Sequence, residues 1–149
     1  MMRDVAMLMH ETAGLMRRRF EQEARPSGLT LLQWRALNLL EANGPLRQVA
    51  IGEALEASPM AISDLAQRLR TAGYVSRQPD PRDNRAKTLS LTPEGARKVA
   101  EMRDAATSVF SEIFEGLTDQ DADALRSALT RIKTNLGGPA DRPRTHSLR

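Results

Sequence analysis

The sequence predicts a mainly α-helical chain interrupted once by a small β-hairpin. Three observations carry that prediction. Apolar residues recur at three- and four-residue spacing through most of the 149 residues. Helix-start signals at Ser58-Pro59 and Thr92-Pro93, and stop signals at Asn43-Gly44-Pro45 and Gly73, punctuate the chain. Between Gly73 and Pro93 the helical period is lost: a charged, proline-broken loop, QPDPRDNRAK, leads into the alternating stretch TLSLT.

The elements follow in order. From Val5 to Phe20, Val5, Leu8, Met9, Leu15, Met16 and Phe20 share one helical face, with Thr12 half-apolar on it. Arg17, Arg18 and Arg19 fall near the end, where cations favour the helix dipole. RPSG at 25–28 breaks this helix. Thr30 is the expected N-cap of a second helix, LLQWRALNLLEA, closed by Asn43-Gly44-Pro45. A shorter helix is expected from Arg47 to Glu56. Ser58-Pro59, a capping side chain followed by proline at the first helical position, starts the fourth, which Gly73 stops. YVSRQ and TLSLT are the two strands. Thr92-Pro93 opens a long helix to about Glu115, whose apolar marks Ala96, Val99, Ala106, Phe110, Ile113 and Leu117 form a seam that Arg103 interrupts. After Gly116, Thr118 and Asp121 form a capping box for a last helix with Ala122, Leu125, Leu129, Ile132 and Leu136 on one face. Residues 137–149 lose all periodicity and are predicted to be a disordered basic tail.

Composition excludes several chemistries. Cysteine is absent, which removes disulfides, thiolate metal sites and thiol redox sensing. Both histidines, His10 and His146, lie at opposite ends, so neither a histidine metal site nor a bound cofactor is expected. No apolar run approaches the ~20 residues of a membrane span, and the N-terminus does not resemble a signal peptide, so a cytoplasmic protein without membrane contact is expected. With no cysteine, no paired histidine and no glycine-rich phosphate loop, and with carboxylates scattered across helix faces, an enzyme is not expected. A net charge of +3 is a weak pointer to a polyanionic partner.

The middle of the chain carries the stronger pointer. Two short helices meeting at Ala57-Ser58 follow helix-turn-helix grammar. With Ile62 set inward, Leu65, Ala66 and Leu69 share its face, while Met60, Asp64, Gln67 and Thr71 point away and Ser63 and Arg68 flank them. Such a face fits a major groove, Gln suiting adenine and Arg suiting guanine or phosphate, although a plain solvated helix surface reads the same in isolation. The hairpin behind it distinguishes the two readings. A strand–loop–strand after a helix-turn-helix makes a winged helix-turn-helix, and the wing holds Arg77, Arg82, Arg85 and Lys87 against Asp80 and Asp83. Asp83 is placed to hydrogen-bond Arg85 and fix its direction.

Ser58 to Gly95 resembles the winged helix of the MarR family of bacterial transcriptional regulators. Asp83-x-Arg85…Leu91-Thr92-x-x-Gly95 matches that family's D-x-R…L-T-x-x-G signature, Gly73-Tyr74-Val75-x-Arg77 matches its approach to the wing, and Leu29-Thr30…Gln33-Trp34-Arg35-x-Leu37 resembles its second helix. The resemblance implies residues 1–28 and 93–136 as a helical dimerisation region and 29–92 as the DNA-binding domain. It implies a homodimer on double-stranded DNA, reading a pseudo-palindromic operator with Ser58, Met60, Ala61, Ser63, Asp64, Gln67 and Arg68 and with wing residues Arg77, Arg82, Asp83, Arg85 and Lys87. Asp64 departs from the family pattern, which often places a cation there. A small aromatic effector is implied near Met9, His10, Met16, Trp34 and Leu37, although plain core packing is the readier explanation of each of these side chains. The expected function is a repressor released by that effector. The alternative is a winged-helix module that docks another regulator instead of DNA.

Overall fold

The computed structural model describes residues 1–83 and 85–138, so all of the predicted basic tail beyond Gly138 lies outside the described residues. The first of two compact units, Met1–Ile113, holds five helices and a sheet. Helix α1 spans Met2–Ala24, longer at both ends than its apolar stripe, and a 3-10 turn at Arg25–Ser27 ends it. Helix α2, Leu31–Asn43, begins at a reciprocal capping box: Gln33 N–H donates to Thr30 Oγ1 at 3.1 Å and Thr30 N–H to Gln33 Oε1 at 3.0 Å.

Helices α3, Gln48–Leu55, and α4, Pro59–Thr71, are the helix-turn-helix. Their corner is tight. Glu56 adopts a left-handed φ of 53°, and a Cβ on Gly52 would lie 3.2 Å from the Ala57 carbonyl oxygen.

The first residue of the predicted third helix, Arg47, belongs instead to a short strand with Leu46. Leu46–Arg47 forms β1, which pairs antiparallel with β3, Lys87–Leu91, through Leu46↔Leu89 and Arg47↔Thr88. Strand β2, Val75–Pro79, pairs with the other edge of β3 from Val75↔Leu91 to Pro79↔Lys87. The wing is therefore the outer part of a three-stranded sheet ordered β1-β3-β2. A two-residue strand has no period to detect, and its partner lies about forty residues on.

Helix α5, Pro93–Ile113, buries Gly95, Val99, Met102, Ala106 and Val109. This corrects the predicted seam: Ala96 and Phe110 are exposed, and Met102 and Val109 take their places inside. One apolar core joins α1, α2, α3, α4, the sheet and α5, with Leu37, Ile51, Leu89 and Val99 fully enclosed. In the second unit, which begins at Phe114, α6 spans Asp119–Asn135 behind the expected Thr118–Asp121 capping box and has no buried residue.

Candidate nucleic-acid interface

Helix α4 is built as its sequence demands. Ser58 Oγ accepts the Ala61 N–H at 3.1 Å, satisfying one of the orphan donors of the first turn, and Pro59 needs no partner there. Loss of such a cap costs about 1 kcal/mol. Ile62, Leu65, Ala66 and Leu69 are buried, which fixes the rotation of the helix. Ser58, Met60, Ser63, Asp64, Gln67 and Arg68 are consequently exposed, while Ala61 is half-buried. Asp64 is engaged by Arg68, whose Nε donates to Oδ2 at 3.0 Å one helical turn on.

The wing is organised by two aspartates rather than one. Asp83 Oδ1 accepts the backbone N–H of Arg85 at 3.0 Å, so the carboxylate holds the main chain of that arginine and leaves its guanidinium outside. Asp80 Oδ1 does the same for Arg82 at 2.7 Å. Both are Asx turns, in which a short carboxylate satisfies a backbone donor two residues ahead. Asp80 N–H also donates to the Ala86 carbonyl at 2.9 Å, closing the base of the tip. Arg82, Asp83, Arg85 and Lys87 are exposed as a result, whereas Arg77 is half-buried in β2 with a shielded, unpartnered Nε.

Sequence reasoning missed Arg47. Its Nε donates to Asp80 Oδ2 at 2.8 Å, tying the first residue before α3 to the base of the wing. The available signal was an arginine at a helix N-cap, where Ser, Thr, Asp or Asn is the favoured choice. The hydrogen bond from Arg47, followed by that from the Arg82 N–H, holds the buried Asp80 carboxyl below its usual range. A depressed carboxyl contributes stability that is fully present above about pH 4 and is lost as pH falls through the folded value. Asp80→Asn is therefore expected to melt below wild type at pH 7, with the gap closing as the pH is lowered past 4. Thermal melts of both proteins across that range check it.

Helix-turn-helix and wing border one cleft of about 440 Å³ lined by Gln48, Val49, Pro59 and Ile62 on one side and Arg85 and Lys87 on the other, with Arg47 between. Of the predicted DNA-contacting residues, Arg85 and Lys87 line this cleft, whereas those of α4 lie outside it: the helix contributes Pro59 and Ile62. A second cavity, of about 390 Å³, lies among α1, α2 and α5 and is lined by Phe20, Leu31, Trp34, Arg35, Arg103 and Phe110. Of the predicted effector residues only Trp34 lines it. Leu37 is core, Met9 and Met16 are half-buried on α1, and His10 is exposed. The Phe20 ring meets Trp34 edge-on at 5.7 Å and Phe110 at 5.2 Å, and Trp34 Nε1 is buried without a partner. Among the described residues no cluster of metal-ligating side chains occurs, and no helix is long and apolar enough to cross a membrane.

Comparison with known proteins agrees with this geometry. A model of the MarR family matches residues 27–86. The chain is 27% identical over 108 residues to the transcriptional repressor IacR of Pseudomonas putida, a match covering 72% of this chain and 65% of that protein's length. Its structure superposes on BpsR of Bordetella bronchiseptica, whose DNA binding is regulated by 6-hydroxynicotinic acid, with a TM-score of 0.77 and 25% identity, covering 87% and 98% of the two chains. A mutant E. coli MarR complexed with operator DNA shares the fold at a TM-score of 0.78 and 22% identity, over 87% and 93%. The L-T-x-x-G and D-x-R patterns, the order of helices and sheet and the matched winged-helix segment all point the same way, to the MarR family of transcriptional regulators.

Proposed function

We propose that this chain is a homodimeric, DNA-binding transcriptional repressor that holds a pseudo-palindromic operator and is released by a small aromatic ligand. Residues 29–92 are the DNA-binding region in this reading, and 1–28 with 93–136 the dimerisation region. The observation that carries it is the pairing of an exposed polar face on α4 with a wing that holds Arg85 and Lys87 outward, beside a cleft the wing shares with Arg47 and the start of α4. A helix of that polarity fits a major groove, and a guanidinium held on a stiff turn fits the adjacent minor groove. Dimerisation is supported by apolar side chains left in the open. Val5, Met7, Leu8 and Leu15 are exposed on α1, and Leu125 and Leu129 on α6 with Leu136 just past its end. Faces of this kind mark contact surfaces.

Release works by population shift: a ligand that favours a spacing of the two α4 helices unequal to one DNA turn of ~34 Å lowers operator affinity. The 390 Å³ cavity is the proposed ligand seat, with Phe20, Trp34 and Phe110 against an aromatic ring and Arg35 available to an acidic group.

Arg85→Ala tests the DNA reading. It is expected to lose most operator affinity while the dimer stays folded, and to flatten the salt dependence by about one phosphate per protomer. Full affinity of that variant in a low-salt titration removes Arg85 from the interface. A module that docks a protein instead has no salt-dependent DNA affinity to lose. An acidic Asp64 and a modest net charge are what favour such a module, and the ion pair of Asp64 with Arg68 removes the unpaired negative charge from the face.

A further inference from the structure

We propose that Asp64 is a specificity-determining positioning residue: it turns Arg68 onto the groove-facing surface of α4 so that the arginine reads a guanine in each half-site. The inference rests on the DNA-binding reading above and adds the base that one side chain selects.

Helix geometry makes the carboxylate necessary. At about 100° per residue, the buried set Ile62, Leu65, Ala66 and Leu69 defines the inward direction, and Asp64 and Gln67 lie within about 35° of its opposite. Arg68 lies about 75° away, on the flank, where an unrestrained arginine would reach sideways to the nearest phosphate. Two features bring it round. Helical side chains lean toward the N-terminus, which carries the Arg68 head back over the turn holding Asp64. The 3.0 Å hydrogen bond from Arg68 Nε to Asp64 Oδ2 then fixes it there.

The choice of donor matters. With Nε occupied, the two terminal Nη groups remain, and they form the end-on pair of parallel donors that matches O6 and N7 of guanine. The charge matters as well. Paired to a carboxylate, the guanidinium carries little net attraction for phosphate, so it adds little to sequence-independent binding and keeps its directional donors. An acidic residue on a DNA-facing helix thereby has a use. It exchanges general affinity for selectivity, through a like-charge penalty wherever no guanine compensates.

The two quantities should move in opposite directions when Asp64 loses its charge. Asp64→Asn is expected to bind a non-specific duplex more tightly, with a log–log salt slope steeper by about 0.9 per protomer. Discrimination at one G·C position is expected to fall toward the lower end of the about 5- to 150-fold that a bidentate Arg–guanine contact supplies. Arg68→Lys keeps the charge and removes the planar fork, and is expected to lose the same G·C position while leaving the rest of the motif intact.

The experiment selects duplexes from a random-sequence pool with full-length wild type, Asp64→Asn and Arg68→Lys. It adds salt titrations on a fixed non-specific duplex, and thermal melts to show that all three fold alike. A motif unchanged in Arg68→Lys overturns the proposal and, where the position is a cytosine contact of Asp64 itself, Asp64→Asn alone loses it. Specific and non-specific affinity rising together in Asp64→Asn also overturns it, because Arg68 is then a phosphate contact that Asp64 weakens. Wild type that enriches no sequence overturns the DNA-binding reading together with this one, whereas an enriched wild-type motif shared by both variants overturns this one alone.

Discussion

Leu125→Glu combined with Leu129→Glu is expected to convert the protein from dimer to monomer and to lower operator affinity by about 10²- to 10⁴-fold. The two leucines lie four residues apart on α6, 44% and 40% exposed, on the stripe that continues to Ile132 and Leu136. A 17-residue helix with no buried side chain gains nothing in water from such a stripe. An isologous partner surface does explain it, because the same stripe on a second copy buries both. Carboxylates on that stripe must be desolvated to associate. The loss of affinity follows from valency: a monomer engages one half-site, and the second site no longer benefits from a high effective concentration. Sedimentation gives the assembly state, circular dichroism confirms that the helices remain, and an operator titration gives the affinity. A double variant that still sediments as a dimer would place the interface elsewhere.

The second large effect is expected at Gly95, and it concerns folding. A Cβ built there would lie 2.0 Å from the Tyr74 carbonyl oxygen and 3.0 Å from Leu91 Cδ2. The first neighbour is backbone and cannot swing aside. The Thr92 N–H holds it by donating to the Tyr74 carbonyl at 3.1 Å, and the Thr92 hydroxyl holds the preceding peptide by donating to the Gly73 carbonyl at 2.6 Å. The same hydroxyl accepts the Gly95 N–H at 3.0 Å, capping α5. The end of α4, the end of β3 and the start of α5 thus converge within a few ångströms, which is what the spacing Leu91-Thr92-x-x-Gly95 accomplishes. Gly95→Ala is expected to destabilise the fold by about 3 kcal/mol or more, at the upper end of overpacking effects. For a chain of this size that corresponds to a melting temperature lower by roughly 6–12 °C. A melt within a degree of wild type would mean that the joint yields. Because α4 and α5 share this joint, a rotation of α5 would carry α4 with it.

Much of this molecule can be read along the chain. Caps and breaks are contests between adjacent groups, so Thr30, Ser58-Pro59, Gly73 and Thr118–Asp121 appear in the structure where their local chemistry puts them. The buried face of α4 follows equally well, since four apolar residues at helical spacing leave one rotation that covers them. The local sequence also places the wing and a hydrogen bond between Asp83 and Arg85, but the structure puts that bond on the Arg85 main-chain N–H and not on its guanidinium.

What escaped the sequence depends on residues distant in it. Helix α5 carries two apolar faces, one for the core of its own unit and one left open, and a one-dimensional pattern merges them into a single seam; packing against α1 and α2 sends Met102 and Val109 inward and leaves Phe110 at the cavity. Strand β1 exists because Leu46 meets Leu89, and Arg47 serves the wing because folding brings Asp80 within 2.8 Å across 33 positions. The aromatic cavity, likewise, takes Phe20, Trp34 and Phe110 from three helices, so only the residue already on α2 could be named in advance. Local hydrogen bonding and amphipathic period are properties of neighbouring residues and survive in the linear code. Which face meets which neighbour is set by the burial of the whole chain at once.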